Sequence, residues 1–191
     1  MESRRVFVGL PAGRELVEAA EEFRRAHAGL KVRWVRPENL HLTMVPPWQC
    51  LDVAAACEAL RDEAARQSPF EVVFERVSFG PDPRRPRLIW ATGKAPAGMP
   101  EFAQSLLTAT GAPGEPRESF LQHLTIARFN SHDFNAMRAH KLREPVSWPA
   151  TLDALCLYES DLKPGGAKYQ ELCRFRLGGG QILDKRAPSS E

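Results

Sequence analysis

The chain has 191 residues, of which 43% are hydrophobic and 26% are charged, and its formal net charge at pH 7 is +2. This length fits one domain or two closely packed lobes, and the composition is that of a globular protein. So small a net charge argues against nucleic-acid binding through bulk electrostatics. Any contact with a polyanion must therefore be local.

The cysteines and the N-terminus bear on the compartment of the protein. Cys50, Cys57, Cys156 and Cys173 show neither C-x-x-C spacing nor a paired Cys/His arrangement typical of a zinc site. We therefore interpret them as reduced, mostly buried thiols. The N-terminus lacks the apolar stretch of a secretory signal, and no run of about 18 apolar residues follows. We expect a cytoplasmic protein that has no contact with membranes.

Apolar periodicity and turn residues predict the secondary structure of the N-terminal half. Pro46 and Pro47 are expected to end the third strand, because proline lacks the N–H group that a sheet ladder needs. Asp52 is expected to cap a helix that is rich in strong helix formers. The predicted elements, in chain order, are a strand at 5–10, a helix at 13–28, strands at 32–35 and 39–45, a helix at 52–67, and strands at 70–79 and 85–93.

The C-terminal half is predicted to repeat this order, so that one α/β unit is used twice. Its elements are a helix at 98–110, a strand at 120–129, a short helix at 133–141, and strands at 151–160 and 169–177. We predict one domain with two lobes over residues 1–178 and a flexible tail at 179–191, which is glycine-rich and then polar. The sequence contains no Gly-rich phosphate loop and no G-x-S-x-G elbow.

One short motif occurs in both units. HLTM at residues 41–44 returns as HLTI at residues 123–126. Because successive side chains of a strand point to opposite faces, His41 and Thr43 share one face, and so do His123 and Thr125. Each strand is predicted to bury its aliphatic face under a helix and to present an imidazole and a hydroxyl to a cleft between the lobes.

These polar groups suit one kind of chemistry. One neutral imidazole takes a proton from a nucleophile, while the other, as imidazolium, gives a proton to a leaving oxygen. The hydroxyls donate hydrogen bonds to phosphoryl oxygens. A single strand histidine is more often a half-buried structural residue, but two copies favour metal-free phosphodiester cleavage. We expect neither a metal nor another cofactor.

The three other histidines, His27, His132 and His140, lie in polar surroundings and are assigned to solvent.

Around these motifs the chain resembles the two-histidine (2H) phosphoesterases, and among them the bacterial RNA 2′,3′-cyclic phosphodiesterases of the LigT type, formerly called 2′-5′ RNA ligases. The paired H-x-T motifs carry the resemblance, which extends to the segments RVFVGLP, WVRPENLHLT, RPRLIWA, HLTIARF and LYESDLKPGGAKY. It implies an α+β fold with two lobes related by a pseudo-twofold axis around a central cleft. Each lobe is expected to be an antiparallel sheet with helices on its outer face.

The resemblance also implies roles for the residues of the second motif, which matches the family pattern H-x-T-x-x-R. It implies that His41 is the general acid, that His123 is the general base, and that Arg128 holds the phosphate with two hydrogen bonds beside the two motif threonines. Plain alternation places Arg128 on the face opposite His123. A β-bulge or a strand end near Ala127 is therefore predicted.

The first motif departs from the family pattern H-x-T-x-x-F. Pro46 stands where the family often has a phenylalanine that contacts the base. Trp48 is a candidate to replace that contact, because an indole face can stack on any base. The alternative is a loop tryptophan packed on the domain.

The leading hypothesis is hydrolysis of the 2′,3′-cyclic phosphate at RNA 3′ ends to a 2′-phosphate, by a cytoplasmic monomer whose partner is RNA. The same residues are compatible with 2′-5′ RNA ligation or cleavage, and with hydrolysis of small cyclic nucleotides or 2′-5′ oligoadenylates. A non-enzymatic alternative is a module that binds RNA ends. A binding module does not need two proton-transfer groups, so a turnover assay distinguishes it from the enzyme.

Overall fold

The computed structural model describes residues 3–82, 84–114, 120–130, 133–134, 142–163 and 166–179. The strands are β1 (Arg4–Pro11), β2 (Arg33–Trp34), β3 (His41–Cys50), β4 (Phe70–Gly80), β5 (Leu88–Gly93), β6 (Gln122–Arg128), β7 (Arg143–Leu152), β8 (Ala154–Lys163) and β9 (Gly166–Arg176). The helices are α1 (Arg14–Ala26), α2 (Val53–Arg66) and α3 (Met99–Thr110), and a 3₁₀ turn at Pro37–Asn39 precedes β3.

The strands form two antiparallel sheets. The first sheet has the strand order β3-β1-β8-β9, and the second has the order β2-β6-β5-β4-β7. This arrangement confirms the predicted α+β class with two sheets. The lobes are not two consecutive halves of the chain, because the first sheet joins the early strands β1 and β3 to the last strands β8 and β9. Neither sheet is therefore complete without strands from both halves.

Two strands that contain prolines differ from the prediction. β3 does not end at Pro46 but continues through it and Pro47. β7, for which the sequence predicts no strand over most of its length, contains Pro145 and Pro149. Both strands lie at the edge of a sheet, where one side of the backbone has no neighbouring strand. A proline is tolerated at such an edge where its missing N–H group would point away from the neighbouring strand. Pro46 and Pro47 are consecutive, so only one of them can satisfy this condition, but both lie where the register of β3 against β1 shifts, and neither has a pairing partner there.

The helices pack against the two sheets. α2 packs against β8 and β9, α3 packs against α2 and β3, and α1 packs against β7. The predicted cap of α2 is confirmed, because the side chain of Asp52 accepts a hydrogen bond of 2.9 Å from the backbone N–H of Ala55. This bond satisfies one of the free N–H groups at the helix start.

The second sheet curls around α1. The ring of Phe23 on α1 lies 6.3 Å from that of Trp34 on β2 and 6.2 Å from that of Trp148 on β7, measured between ring centroids. β2 and β7 are opposite edges of this sheet. One helix side chain contacts both edges, so the sheet must bend round towards it.

Two of the four cysteines are not reduced thiols as predicted. Cys57 on α2 and Cys173 on β9 form a disulfide. Cys50 and Cys156 are free and buried, as expected. The spacing of the cysteines could not reveal this pair, because its two members are separated by 116 residues and meet only when α2 packs on the first sheet.

The assignment of His27 to solvent is also wrong. Its Nδ1 donates a hydrogen bond to the carbonyl of Phe23, and its Nε2 lies 2.8 Å from a carboxylate oxygen of Glu144 on β7. His27 therefore ties the end of α1 to the second sheet. His132 and His140 lie outside the described residues, as do most of the predicted helix at 133–141 and residues 180–191 of the predicted tail. The boundary of the domain at residue 178 stays a prediction.

In the described part of the chain, no helix is both long enough and apolar enough to span a membrane.

Candidate active site

The two motif strands lie in different sheets and approach each other. β3 is an edge strand of the first sheet, β6 belongs to the second, and the two strands are in contact. Leu42 and Leu124 are buried in the core, whereas the histidines and threonines of both motifs are half-buried. This pattern confirms the predicted alternation, in which the aliphatic face of each strand is buried and the polar face is turned outward.

A β-bulge in β6 turns Arg128 towards the histidine. Thr125 and Ala127 lie opposite consecutive residues of β5, so β6 contains one extra residue at this point. After the bulge, Arg128 lies on the same face as Thr125 and His123. The predicted bulge near Ala127 is confirmed by this register.

β3 has the same bulge at the same point of its motif. Thr43 and Val45 lie opposite consecutive residues of β1. Pro46 therefore occupies in β3 the position that Arg128 occupies in β6, and it is exposed. Trp48 follows on the same strand, but it is only 7% exposed and belongs to the hydrophobic core. Its burial argues against the hypothesis that Trp48 stacks on the terminal base.

Both motif histidines are held by the same backbone contact. Nδ1 of His41 donates to the carbonyl of Asn39 at 2.7 Å, and Nδ1 of His123 donates to the carbonyl of Leu121 at 3.0 Å. A carbonyl oxygen only accepts, so the proton of each neutral ring is on Nδ1. In each ring, Nε2 is then the nitrogen that is free to accept a proton.

His41, His123 and Arg128 are close enough to interact electrostatically. Burial, together with the charges of Arg128 and His123, lowers the pKa of His41 from 6.5 to about 4, although the hydrogen bond to Asn39 favours the protonated ring. His41 is therefore neutral at pH 7 in the free protein. The fold thus brings together the two histidines and the arginine that the motifs identify.

The aromatic surroundings of His41 cannot be recognised from the motifs. Its ring centroid lies 4.8 Å from that of Phe7, 5.4 Å from that of Tyr169 and 5.8 Å from that of Tyr158. Gly9 on β1 leaves room for the imidazole, since a Cβ atom there would lie 3.2 Å from Cδ2 of His41. Segments around all three aromatic residues are part of the family resemblance, but nothing local indicates that they meet around one histidine.

His123 lies beside Trp90 of the neighbouring strand. The two ring centroids are 5.3 Å apart, and Nε1 of Trp90 donates to the hydroxyl of Ser78 at 3.2 Å. Gly80 makes space for the indole, because a Cβ atom at Gly80 would lie only 2.3 Å from Cε2 of Trp90. Trp90 is therefore held in one orientation against His123.

Gln122 anchors the start of β6. Its side chain is fully buried, and Nε2 donates to the carbonyl of Val73 on β4 at 2.8 Å. The amide passes Gly93 on β5, where a Cβ atom would lie 2.6 Å from this nitrogen. The side chain of Gln122 thus reaches across β5 to β4, and this contact restricts movement of the backbone at His123.

Cys156 shares the face of the first sheet that carries His41, since it lies opposite Gly9 of β1 and Gly9 lies opposite Thr43 of β3. Burial raises the pKa of its thiol to about 12. It stays protonated at neutral pH and is a poor nucleophile.

Among the described residues, no group of three or more His, Cys, Asp and Glu side chains is placed to hold a metal ion.

Each of the two sheets contributes one strand with a histidine and a threonine on its polar face, which is the arrangement expected of a two-histidine phosphoesterase. Residues 8–90 match the family model described as LigT like Phosphoesterase. With the relatives below, this match makes the chain similar to the LigT-like members of the 2H phosphoesterases.

The relatives are distant but cover nearly the whole chain. The RNA 2′,3′-cyclic phosphodiesterase of Aquifex aeolicus (strain VF5) is 24% identical over 188 residues, which cover 92% of this chain and 98% of that protein. TT0787 of Thermus thermophilus has a similar structure, with a TM-score of 0.74, 22% identity, and coverage of 92% and 98%. E. coli LigT complexed with 3′-AMP has a TM-score of 0.70, 23% identity, and coverage of 92% and 99%. The two structures show that the fold is shared.

Proposed function

We propose that this protein hydrolyses the 2′,3′-cyclic phosphate at RNA 3′ ends and leaves a 2′-phosphate. The observation that carries the proposal is the packing of β3 against β6, which brings the strand of His41 in one sheet beside the strand of His123 and Arg128 in the other. Two imidazoles and a guanidinium around one point suit an anionic phosphodiester. The relatives named RNA 2′,3′-cyclic phosphodiesterase support the choice of RNA as the substrate.

In the proposed reaction, one neutral imidazole removes a proton from water, whose oxygen attacks the phosphorus. The bond between phosphorus and O3′ breaks, and the other imidazole, as imidazolium, protonates O3′. The products are a 2′-phosphate and a 3′-hydroxyl. Thr43 and Thr125 donate hydrogen bonds to phosphoryl oxygens, and Arg128 holds two of these oxygens with its planar fork.

We propose that His41 is the general acid and His123 the general base. With a pKa of about 4, His41 is neutral in the free protein, so the acid role requires that bound substrate raise its pKa. A phosphate anion beside the ring does this, because an opposite charge favours the protonated form. A substrate with sulfur in place of O3′ needs less protonation of the leaving group. It should restore turnover to His41→Ala much more than to His123→Ala, and the reverse order would exchange the roles.

The decisive experiment measures turnover of a short RNA with a 2′,3′-cyclic end and identifies the phosphate position in the product. His41→Ala and His123→Ala should each lower kcat by roughly 10²- to 10⁴-fold without loss of fold, as judged by circular dichroism. His27→Ala is the matched control, because His27 is paired with Glu144 outside the site. If the wild-type protein bound RNA ends but released no product, the protein would be a binding module.

We also propose that the two imidazoles supply the proton transfers without a metal ion. Turnover should therefore continue after dialysis against EDTA. Loss of turnover that one specific metal restores would contradict this. A cytoplasmic location and a monomeric state remain part of the proposal, and the elution volume in size-exclusion chromatography tests the second.

A further inference from the structure

Two arginines face each other beside the site. In the pairing of β2 with β6, Arg33 lies directly opposite Arg128, and both side chains are exposed. The next pair, Trp34 and Ala127, points to the opposite face, where Trp34 packs against Phe23. Arg33 therefore shares the face of Arg128, which is the face that carries His123 and Thr125.

Neither guanidinium has a partner among the described residues. Within the part of the chain that the structure describes, Arg33 and Arg128 make no side-chain hydrogen bond and no ion pair. Other arginines of the sheets do have such partners: Arg5 donates to Ser160 at 2.7 Å, and Arg174 donates to Glu171 at 2.8 Å. Like charges directly opposite each other destabilise an antiparallel pair. An unneutralised arginine pair at this position is therefore suited to bind an anion.

The two arginines do not have the same relation to the reacting groups. Arg128 lies on β6, the strand that carries His123, whereas Arg33 lies on β2, the edge strand next to β6. Arg33 thus lies one strand further from His123 than Arg128 does. A guanidinium binds a phosphate best when its fork meets two oxygens of one group, so two forks at different distances suit two different phosphates.

We propose that Arg33 binds the phosphodiester on the 5′ side of the terminal nucleotide, while Arg128 binds the cyclic phosphate on its 3′ side. This inference rests on the proposed function. It assigns the substrate class: an RNA chain of at least two nucleotides, in preference to a cyclic mononucleotide. Because Arg33 contacts no reacting atom, its effect is on substrate binding and not on the chemical step.

The test combines one variant with three substrates. These are a 2′,3′-cyclic mononucleotide, a dinucleotide with the same cyclic end, and that dinucleotide with a neutral methylphosphonate between its nucleosides. Arg33→Ala should raise KM for the charged dinucleotide by about 10- to 100-fold, as expected for loss of a charge-assisted hydrogen bond, and should leave kcat unchanged. Mononucleotide kinetics should not change.

The methylphosphonate tests whether arginine and phosphate act on each other. On the neutral dinucleotide, the KM of wild-type protein should rise by the same factor. Arg33→Ala should raise this KM no further, since both changes remove the same contact. The slope of log KM against log salt should fall by about one in the variant. Arg61→Ala is the control, because it removes an equal charge from α2, where Arg61 lies beside Asp62. The proposal would be overturned if Arg33→Ala raised KM equally for the mononucleotide, or if the effects of the variant and of the methylphosphonate on KM were additive.

Failure of the proposed function would look different. In that case wild-type protein would turn over none of the three substrates. The same cycle is then measured as equilibrium binding of dinucleotides that end in a 2′-phosphate, with either a phosphodiester or a methylphosphonate between the nucleosides. If the variant and the methylphosphonate weaken binding by the same factor and do not add, the role of Arg33 is supported even in a protein without turnover. If their effects on binding are additive, the role is contradicted.

Discussion

The two motif histidines have the same backbone contact but different surroundings. Each Nδ1 donates to the carbonyl two residues earlier, which leaves Nε2 free for proton transfer. The ring of His41 is enclosed by three aromatic rings, whereas His123 has only Trp90 as a neighbouring ring in the described part of the chain. A repeated motif can therefore serve two roles, because the environment of each copy determines how readily it is protonated.

The low pKa of His41 predicts a dependence of stability on pH. In the unfolded chain the pKa of this ring is 6.5, and in the folded protein it is about 4. Folding therefore favours the neutral ring, and this contribution is fully present above pH 6.5 and is lost as the pH falls towards 4. We expect a loss of roughly 1–3 kcal/mol in the free energy of unfolding from this group.

Urea denaturation of wild-type protein and His41→Gln at pH 7 and pH 4.5 measures this contribution. The glutamine variant should lose less stability on acidification than the wild-type protein, because it cannot take up the proton. If both proteins lost the same amount, His41 would not have a lowered pKa in the folded state.

Gly9 provides a second prediction at the level of one residue. A Cβ atom at this position would lie 3.0 Å from the carbonyl oxygen of Leu42 and 3.2 Å from Cδ2 of His41. Gly9→Ala should displace the imidazole and lower kcat by at least about 10-fold, because proton transfer depends on its position. Gly29→Ala is the control, since no atom lies within 4 Å of its added methyl group. Wild-type kcat in Gly9→Ala would show that the ring tolerates the shift.

At the level of the strand, the bulges matter more than the motif residues alone. Each H-x-T strand has its extra residue directly after the threonine, so the fifth residue after the histidine returns to the polar face. In β6 this residue is Arg128, and in β3 it is Pro46. The pseudo-symmetry of the fold therefore extends to the bulges, while the side chains at equivalent positions differ.

Arg128→Lys tests whether the site needs the bidentate guanidinium of Arg128 or only its positive charge. Lysine keeps the positive charge but cannot form two parallel hydrogen bonds with one phosphate. We expect kcat to fall by about 10- to 100-fold with a smaller change in KM, because negative charge builds up on the phosphoryl oxygens in the transition state. Arg61→Lys on α2 is the control. Wild-type kinetics in Arg128→Lys would mean that the arginine does not contact the reacting phosphate.

At the level of the whole molecule, one sheet is assembled from the two ends of the described chain. β1 pairs with β3 on one side and with β8 on the other, and the disulfide between Cys57 and Cys173 joins α2 to β9 of the same sheet. Cys173 lies on the face that packs against α2, which is not the face that carries His41. The disulfide therefore links elements that support the site without contacting it.

Reduction of this disulfide should lower stability but leave activity unchanged. A cross-link across 116 residues constrains the unfolded chain, and such bonds typically contribute about 2–4 kcal/mol. Dithiothreitol should therefore lower the urea midpoint of wild-type protein while kcat stays the same. The Cys57→Ser/Cys173→Ser variant should have the lower midpoint with or without the reductant. A fall in kcat on reduction would show that the disulfide supports the site geometry.

The sequence by itself determined which motif residues share a face of their strand, and the resemblance to a known family indicated the class of fold. Alternation along a strand is a local property, so the shared faces of His41 with Thr43 and of His123 with Thr125 follow from spacing alone. The bulge before Arg128 followed from the same parity together with the resemblance, which implies that Arg128 holds the phosphate. The cap of α2 and the positions of α1, α2 and α3 were also predictable, because helix formers and capping residues act over a few neighbours.

Only the tertiary structure decided which strands lie side by side. Sequence spacing does not indicate that β8 and β9 return to the first sheet, that proline-containing β7 forms an edge, or that Arg33 lies opposite Arg128. The same holds for the rings of Phe7, Tyr158 and Tyr169, which meet around His41. Pairing between distant segments depends on burial of the whole core and not on local preference. The pKa of His41, which depends on that burial, therefore could not be predicted from its motif.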